Sequence, residues 1–260
     1  MTSVTKRYDM TENSPTQTRM PDTAMVLAAG LGLRRRPLTL ERPKPLLSVM
    51  GRTLLDHALD HLAEAGVPSA VVNAHYKGEM IAEHVKGRTA PAITLSPEDD
   101  LLETGGGVKK ALPHLGNAPF FVINADILWL DGPDPALRRL AEAWNPDQMD
   151  ALLLLTPTAR AHGYDGRGDF QMDPLGALTR RAELELAPFV FAGVQIIKPE
   201  LYADTPDGPF SNNLLWNRAQ ENGRLFGLSH DGLWFHVGTP ESLAETEEFL
   251  THSWAPVVTT

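Results

Sequence analysis

The sequence predicts an α/β fold built on a mostly parallel central sheet. Three observations point there. Short apolar runs alternate with amphipathic stretches through the first 155 residues, the pattern of strands joined by right-handed helical crossovers. The run Ala151–Thr156 is continuously apolar, as in a strand covered on both faces. A strand-like run, Ala24–Ala28, passes straight into a glycine turn.

The elements follow in order. Thr53–Ala65 carries Leu54, Leu55, Ala58, Leu59 and Leu62 at helical spacing and stops at Gly66. Ala70–Asn73 reads as a strand, Glu79–Val85 as a short helix and Ile93–Leu95 as a strand. A helix begins at Gly107 and is limited by Pro113. Phe120–Asn124 is a buried strand, and Pro135–Trp144 a helix. Beyond residue 155, Gly168–Met172, Ala177–Thr179, Phe189–Ile197 and Leu225–Leu228 read as strands with little helix between them. Trp234–Val237 is strand-like, and Ser211–Asn222 and Pro240–Thr251 are helical. This β-rich part is expected as a smaller insertion over one end of the sheet, closing the site from one side. No hexapeptide repeat follows residue 250, so no left-handed β-helix is expected.

Composition narrows the function. The 260 residues suffice for one sizeable core. A net charge of −10 argues against nucleic acid and anionic membranes as partners, so a site for a polyanion must concentrate its positive charge locally. There are no cysteines, which excludes disulfides and thiolate chemistry and fits a reducing, cytoplasmic setting. The polar segment 1–22 lacks a secretory h-region and reads as a flexible tail before a domain over 23–255. The chain is expected to be a monomer or small homo-oligomer.

Four segments carry chemistry. The first is Leu27-Ala-Ala-Gly30-Leu-Gly32-Leu-Arg34-Arg-Arg-Pro37-Leu-Thr39, then Arg42-Pro-Lys44-Pro-Leu-Leu47. Glycines there let backbone N–H groups approach phosphate oxygens, and Arg and Lys add fixed charge. It is not a P-loop, because no Gly-Lys-Ser/Thr follows. It is not a dinucleotide fingerprint, because Arg35 stands where the third glycine belongs and no acid follows at 48–52. The second is Ser96-Pro-Glu98-Asp-Asp-Leu-Leu-Glu103-Thr104-Gly105-Gly106-Gly107, whose glycines let the backbone press on a flat ligand; Glu103 reads as structural. The third, Phe120-Phe-Val-Ile-Asn124-Ala-Asp126, sets an acid at a strand end, where open α/β sheets bind ligands. The fourth is Gly166-Arg-Gly168-Asp169-Phe170. His57 and His61, four apart on a helix, have no third ligand and read as a helix face, and Trp129, Trp216 and Trp234 read mainly as core.

The first segment resembles the L-A-A-G-x-G-T-R-x-x-P-L-T…P-K-P-L signature of sugar-1-phosphate nucleotidyltransferases. The runs L-E-T-G-G-G and R-G-D-F, with Val237-Gly-Thr-Pro-Glu-Ser-Leu-Ala-Glu-Thr-Glu247, resemble the N-acetylmuramate-1-phosphate uridylyltransferases among them. The resemblance covers residues 24 to 250. It implies a Rossmann-like nucleotidyltransferase fold with a sugar-binding insertion. It also implies transfer of a nucleoside monophosphate from an NTP to a sugar 1-phosphate, with UTP and N-acetylmuramate 1-phosphate first. GTP with mannose 1-phosphate, or another hexose 1-phosphate pair, is the alternative. It implies catalytic roles for Arg34, Lys44 and Asp126. Leu27, Ala28, Ala29, Gly30, Gly32, Asn73, Glu98, Thr104, Gly105 and Gly106 are implied at the nucleotide. Asn124, Gly168, Asp169 and Gly193 are implied at the sugar phosphate. Mg²⁺, with Mn²⁺ as the alternative, falls to Asp126 and His236. Two departures stand out. Leu33 replaces a hydroxyl residue, and His236 replaces an aspartate that many members use as a second ligand, although imidazole is a poor Mg²⁺ ligand. The His236 replacement keeps a rival open, a non-catalytic nucleotide-sugar-binding regulatory module.

Overall fold

The structure, a computed structural model, describes residues 20–32 and 41–253. Residues 1–19, which include most of the segment expected as a tail, 33–40, with Leu33 and Arg34, and 254–260 lie outside the described residues.

The first half alternates as expected. Its strands are β1 (Thr23–Leu27), a small hairpin β2 (Ser48–Val49) and β3 (Arg52–Thr53), β4 (Ser69–Ala74), β5 (Ala92–Pro97), β6 (Phe120–Asn124) and β7 (Leu128–Leu130). Its helices are α1 (Leu54–Glu64), α2 (Gly78–Val85), α3 (Glu103–Leu115) and α4 (Ala136–Ala143). The second half supplies β8 (Ala151–Pro157), β9 (Ala161–His162), β10 (Phe170–Met172), β11 (Leu178–Arg180), β12 (Phe189–Ile197), α5 (Asn213–Glu221), β13 (Leu225–Ser229), β14 (Leu233–Phe235) and α6 (Pro240–Ser253).

Local chemistry explains several boundaries. Thr53 caps α1, its hydroxyl oxygen accepting from the Asp56 N–H at 3.0 Å. The β2–β3 turn places Met50 and Gly51 at φ of 52° and 77°, both left-handed, as a tight hairpin turn requires. Two expectations are corrected at α3. The helix starts at Glu103, ahead of the glycines, and Pro113 lies inside it. A proline in the last turn removes one backbone hydrogen bond, and the stop comes at Gly116, at φ 82°.

Strands β5, β4, β1 and β6 pair in parallel. Strand β12 lies antiparallel to β6 on one edge and to β8 on the other, and β13 runs parallel to β8. The β-rich second half therefore extends the same nine-stranded sheet instead of sitting apart from it. Only β7, β14 and β9 form a separate three-stranded sheet. Strand β12 changes partner along one edge: Val194–Ile197 pair with β6, while Phe189 pairs with Phe170 of β10. A bulge between Phe191 and Gln195 marks the fork, with Gly193 at φ 81°.

Alternate residues of β1 enter different cores. Ala24 and Val26 pack with Leu55, Leu59 and Leu62 of α1 and with Leu137 and Leu140 of α4. Met25 packs on the opposite face with Val108 and Ala111 of α3 and Leu215 and Trp216 of α5. Met20–Asp22, expected in the tail, belong to the body: Met20 packs against the first core, Pro21 is buried, and the Asp22 carbonyl accepts from the Ser69 hydroxyl. Among the described residues, no helix is long and apolar enough to cross a membrane.

Leu59 is fully buried between α1 and the sheet. Leu59→Ala is expected to cost about 2–5 kcal/mol in urea unfolding while leaving substrate KM values unchanged. A loss below about 1 kcal/mol would show that this face is not the core.

Candidate active site

The C-terminal ends of β1, β4 and β6 open onto one cavity of about 370 Å³. Its lining includes Leu27, Ala28, Ala29 and Gly30 after β1, Asn73 of β4, and Asn124 and Asp126 after β6. Lys44, Glu103, Thr104 and Ser211 complete its polar lining. Ligands enter open α/β sheets at this end.

A buried side-chain relay sets the shape of this mouth. Asn73 Oδ1 accepts the Ala28 N–H at 2.6 Å, and Asn73 Nδ2 donates to Glu98 Oε1 at 2.7 Å. The other Glu98 oxygen accepts the Leu102 N–H at 3.1 Å, just before α3. The Glu98 main-chain N–H donates to the Ala74 carbonyl at 2.8 Å, which ties the ends of β4 and β5 together. Glu98 is buried and does not line the cavity. It holds Asn73 and the start of α3, so its place is behind the site.

The glycine run has a similar internal task. A Cβ on Gly105 would lie 2.4 Å from the Phe210 ring, one on Gly106 2.3 Å from the Gly208 carbonyl oxygen, and one on Gly107 2.8 Å from both Asn73 and Glu98. The Gly105 and Gly106 N–H groups both donate to the Phe210 carbonyl, at 2.8 and 3.1 Å. The space and the amides that the sequence reading offered to a nucleobase are taken by the segment crossing from residue 207 to 212. Neither glycine lines the cavity, whereas Glu103 and Thr104 do. Thr104 Oγ1 accepts from the Asn212 N–H at 2.9 Å, which anchors the entry to α5. Glu103, read from sequence as structural, is exposed toward the cavity on left-handed backbone at φ 58°. A non-glycine residue held there is a strained position of the kind that gathers at functional sites.

Lys44 begins a single 3₁₀ turn, Lys44–Leu46, and is 8% exposed. Its ammonium pairs with the Asp126 carboxylate. The cation and the acid expected to serve the reaction thus meet at one point. Asp126 sits one turn past β6, whose end is pinned where the Ala125 N–H donates to the Leu27 carbonyl at 3.0 Å.

The residues expected at the sugar follow the fork in the sheet. A Cβ on Gly193 would lie 3.3 Å from the Asn124 Cβ, so the two positions abut. Asp169 Oδ2 accepts the Phe191 N–H at 2.9 Å, two residues back along β12. Gly168, at φ 76°, presses against the Ala187 carbonyl and donates its N–H to the Tyr164 hydroxyl oxygen at 3.2 Å. Burial, helped by the Asp169 charge, pushes the Tyr164 phenol above its usual range and keeps it protonated.

His236 does not line the cavity. Its ring stacks at 6.1 Å on Trp234 and meets the edge of Tyr164 at 6.3 Å, and Gly238 leaves room for its Nε2. Among the described residues, no three His, Asp or Glu side chains come together as a metal cluster. Two carboxylates, Asp126 and Glu103, line the cavity, and Asp126 beside Lys44 would suit a Mg²⁺ ion that takes its remaining ligands from substrate phosphates and water. Gly32, at φ 61°, also lies outside the lining. His57 and His61 are not paired on a metal: His57 Nε2 contacts the Val49 carbonyl, and His61 stacks on Trp129 at 4.1 Å.

Substituting Gly106 should therefore damage folding first. Gly106→Ala is expected to cost about 1–3 kcal/mol of stability, because the clash is with backbone. Its residual folded fraction should keep a KM for nucleotide within about threefold of wild type. An unchanged unfolding midpoint with a raised nucleotide KM would return this glycine to the ligand.

Comparison with known proteins identifies the family. The chain is 44% identical over 238 residues to the N-acetylmuramate alpha-1-phosphate uridylyltransferase of Caulobacter vibrioides, covering 90% of this chain and 98% of that protein. It is 36% identical to the protein of the same name from Neisseria meningitidis, covering 89% and 99%. Mannose-1-phosphate guanyltransferases match at lower identity. The fold superposes on a UDP-glucose pyrophosphorylase solved with UDP-glucose at a TM-score of 0.74 and 18% identity, covering 89% of this chain and 98% of that one. The nucleotidyl transferase family model matches residues 23–166, the span that builds the cavity from Leu27 to Asp126, and the chain belongs to that family.

Proposed function

We propose that this protein transfers UMP from UTP to N-acetylmuramate 1-phosphate and releases pyrophosphate, in the cytoplasm. The 44% identity across nine-tenths of the chain carries the choice of substrates. The meeting of Lys44 and Asp126 at the strand-end cavity supports the reaction class.

The chemistry asks little covalent work of the protein. A sugar phosphate has its second pKa near 6, so it is largely ionised at neutral pH and needs no general base. It attacks the α-phosphorus of UTP, one P–O bond forms, and the bond to the pyrophosphate oxygen breaks. Catalysis then rests on alignment and on neutralising charge on the phosphates. The main-chain groups of Ala29 and Gly30, in a cavity-lining turn whose Ala28 is fixed by Asn73, suit close approach of phosphate oxygens. Lys44 and Arg34 supply positive charge, Lys44 toward the α-phosphate. Thr104 and Glu103, on the cavity wall, are suited to the nucleoside end, and Asn124, Gly193 and Asp169 follow the sheet fork toward the sugar. Asp126 would hold a divalent cation, Mg²⁺ or Mn²⁺, which when bound would neutralise phosphate charge.

Lys44→Ala and Arg34→Ala should each lower kcat by about 10²–10³ with the fold intact. Asp126→Ala should abolish divalent-dependent turnover while nucleotide still binds. Either cation variant turning over near the wild-type rate in a pyrophosphate-release assay would remove the loop from the reaction.

Nucleotide and sugar choice are read from the same assay, run with several NTPs against a panel of sugar 1-phosphates. UTP with N-acetylmuramate 1-phosphate should give the largest kcat/KM. A larger value for GTP with mannose 1-phosphate would replace the substrate pair and keep the mechanism. No turnover with any pair, in a chain that binds nucleotide, would favour a regulatory module.

A further inference from the structure

A second cavity, of about 380 Å³, is lined by Asp169, Arg180, Arg181, Glu183 and Asn217. It continues the line of the first. Gly193 abuts Asn124 of the first cavity, and Phe191, two residues away on β12, donates to the Asp169 carboxylate. At about 3.3 Å per strand residue, Asp169 meets β12 only about 7 Å along the strand from Gly193.

The two arginines here differ from others in the chain. Arg52, Arg88, Arg139 and Arg224 each pair with a carboxylate. Among the described residues, the side-chain hydrogen bonds of Arg180 and Arg181 go to amide oxygens alone. Arg181 is committed to its own loop: Nε donates to the Gly168 carbonyl at 2.7 Å, and Nη1 donates to the carbonyls of Ala182, Glu183 and Glu185. Arg180 is half-buried opposite Phe170 in the β10–β11 ladder. Its main-chain N–H is fixed by Gln220 at 2.7 Å, and one guanidinium nitrogen by Asn217 at 2.8 Å. Most of its donor fork remains for a ligand. Asp169 and Glu183 line the same cavity, so the net field there is not strongly positive. Recognition must come from the directed, planar geometry of the guanidinium, which suits a carboxylate.

We infer that Arg180 reads the lactyl carboxylate of N-acetylmuramate 1-phosphate, the group that distinguishes this sugar from N-acetylglucosamine. The inference rests on the substrate reading proposed above. The sugar ring would follow the β12 edge from Asn124 and Gly193 toward Asp169, and its 3-O-lactyl arm would end at Arg180. Arg181 acts as a positioning residue that holds the 181–187 loop.

The test compares N-acetylmuramate 1-phosphate with N-acetylglucosamine 1-phosphate at saturating UTP, in the wild-type chain and in Arg180→Gln. The variant should raise KM for N-acetylmuramate 1-phosphate by about 10–100-fold, the loss expected for one charged hydrogen-bonded contact. The preference ratio in kcat/KM should fall by the same factor, with KM for UTP unchanged. Arg180→Lys keeps the charge and the stem but not the fork, so it should fall between the two, and it serves if the Gln variant folds poorly. A wild type that prefers N-acetylmuramate 1-phosphate, with both variants keeping the full preference, overturns the role of Arg180 alone. A wild type without that preference overturns the substrate reading and this inference together.

Discussion

The side chain of Asn73 is the tie on which the site depends. Its oxygen fixes the Ala28 N–H and its nitrogen fixes Glu98, which in turn fixes Leu102. One amide thus joins the turn after β1, the end of β4, the segment after β5 and the start of α3. All of these groups are buried or partly buried, where an unpaired polar atom costs far more than a paired one contributes. The relay is therefore either complete or strongly unfavourable, and completing it sets the cavity-lining turn after β1 before any ligand arrives. Gly107 belongs to the same constraint, since a Cβ there would come within 2.8 Å of both partners.

The change of strand partner along β12 divides the labour. Its C-terminal half pairs antiparallel with β6, at the edge of the parallel layer whose strand ends form the first cavity. Its N-terminal half turns toward β10 and carries the second cavity outward. The bulge at Gly193, seen in the ladder with β8, falls between the segment that pairs with β10 and the segment that pairs with β6. The two cavities thereby open along one sheet, and elements of regular structure position groups more exactly than free loops do.

Much of this was legible in the sequence. Apolar runs such as Phe120–Asn124 and Ala151–Thr156 gave strands whose bounds differ by a residue or less, because continuous apolar patterning leaves few alternatives. The motifs also led to Lys44, Asn73, Thr104, Asn124 and Asp126, which share the cavity lining. What sequence missed lies in contacts distant along the chain. Nothing local in Thr104–Gly107 says that Phe210 and Gly208 occupy the space beside it, so a ligand was the natural explanation for small residues. The hydrogen bonds that tie Glu98 to Asn73 and Leu102, 25 and four residues away, were not legible either. That strands β8 and β10–β13 of the β-rich half join the central sheet was not legible, because short strands do not announce which sheet they join. Arg180 had no motif at all, and only the ladder with Phe170 and the contact with Asn217 bring it to a cavity.

The electrostatics of the whole chain explain why so much depends on fixed donors. At a net charge of −10 the overall field opposes a triphosphate and a sugar phosphate alike. Binding must overcome that field with a few short-range contacts. Lys44 is nearly buried, and an isolated buried ammonium would be costly, so its pairing with Asp126 keeps the charge in place. The same pairing weakens Lys44 as an anion trap, because part of its field is already spent on the carboxylate. A phosphate that approaches Lys44 therefore also approaches Asp126 and is repelled by it, unless a cation lies between them. The geometry thus gives a physical reason why the divalent cation proposed at Asp126 would help: with Asp126 beside Lys44, added positive charge would offset the carboxylate and favour a phosphate there.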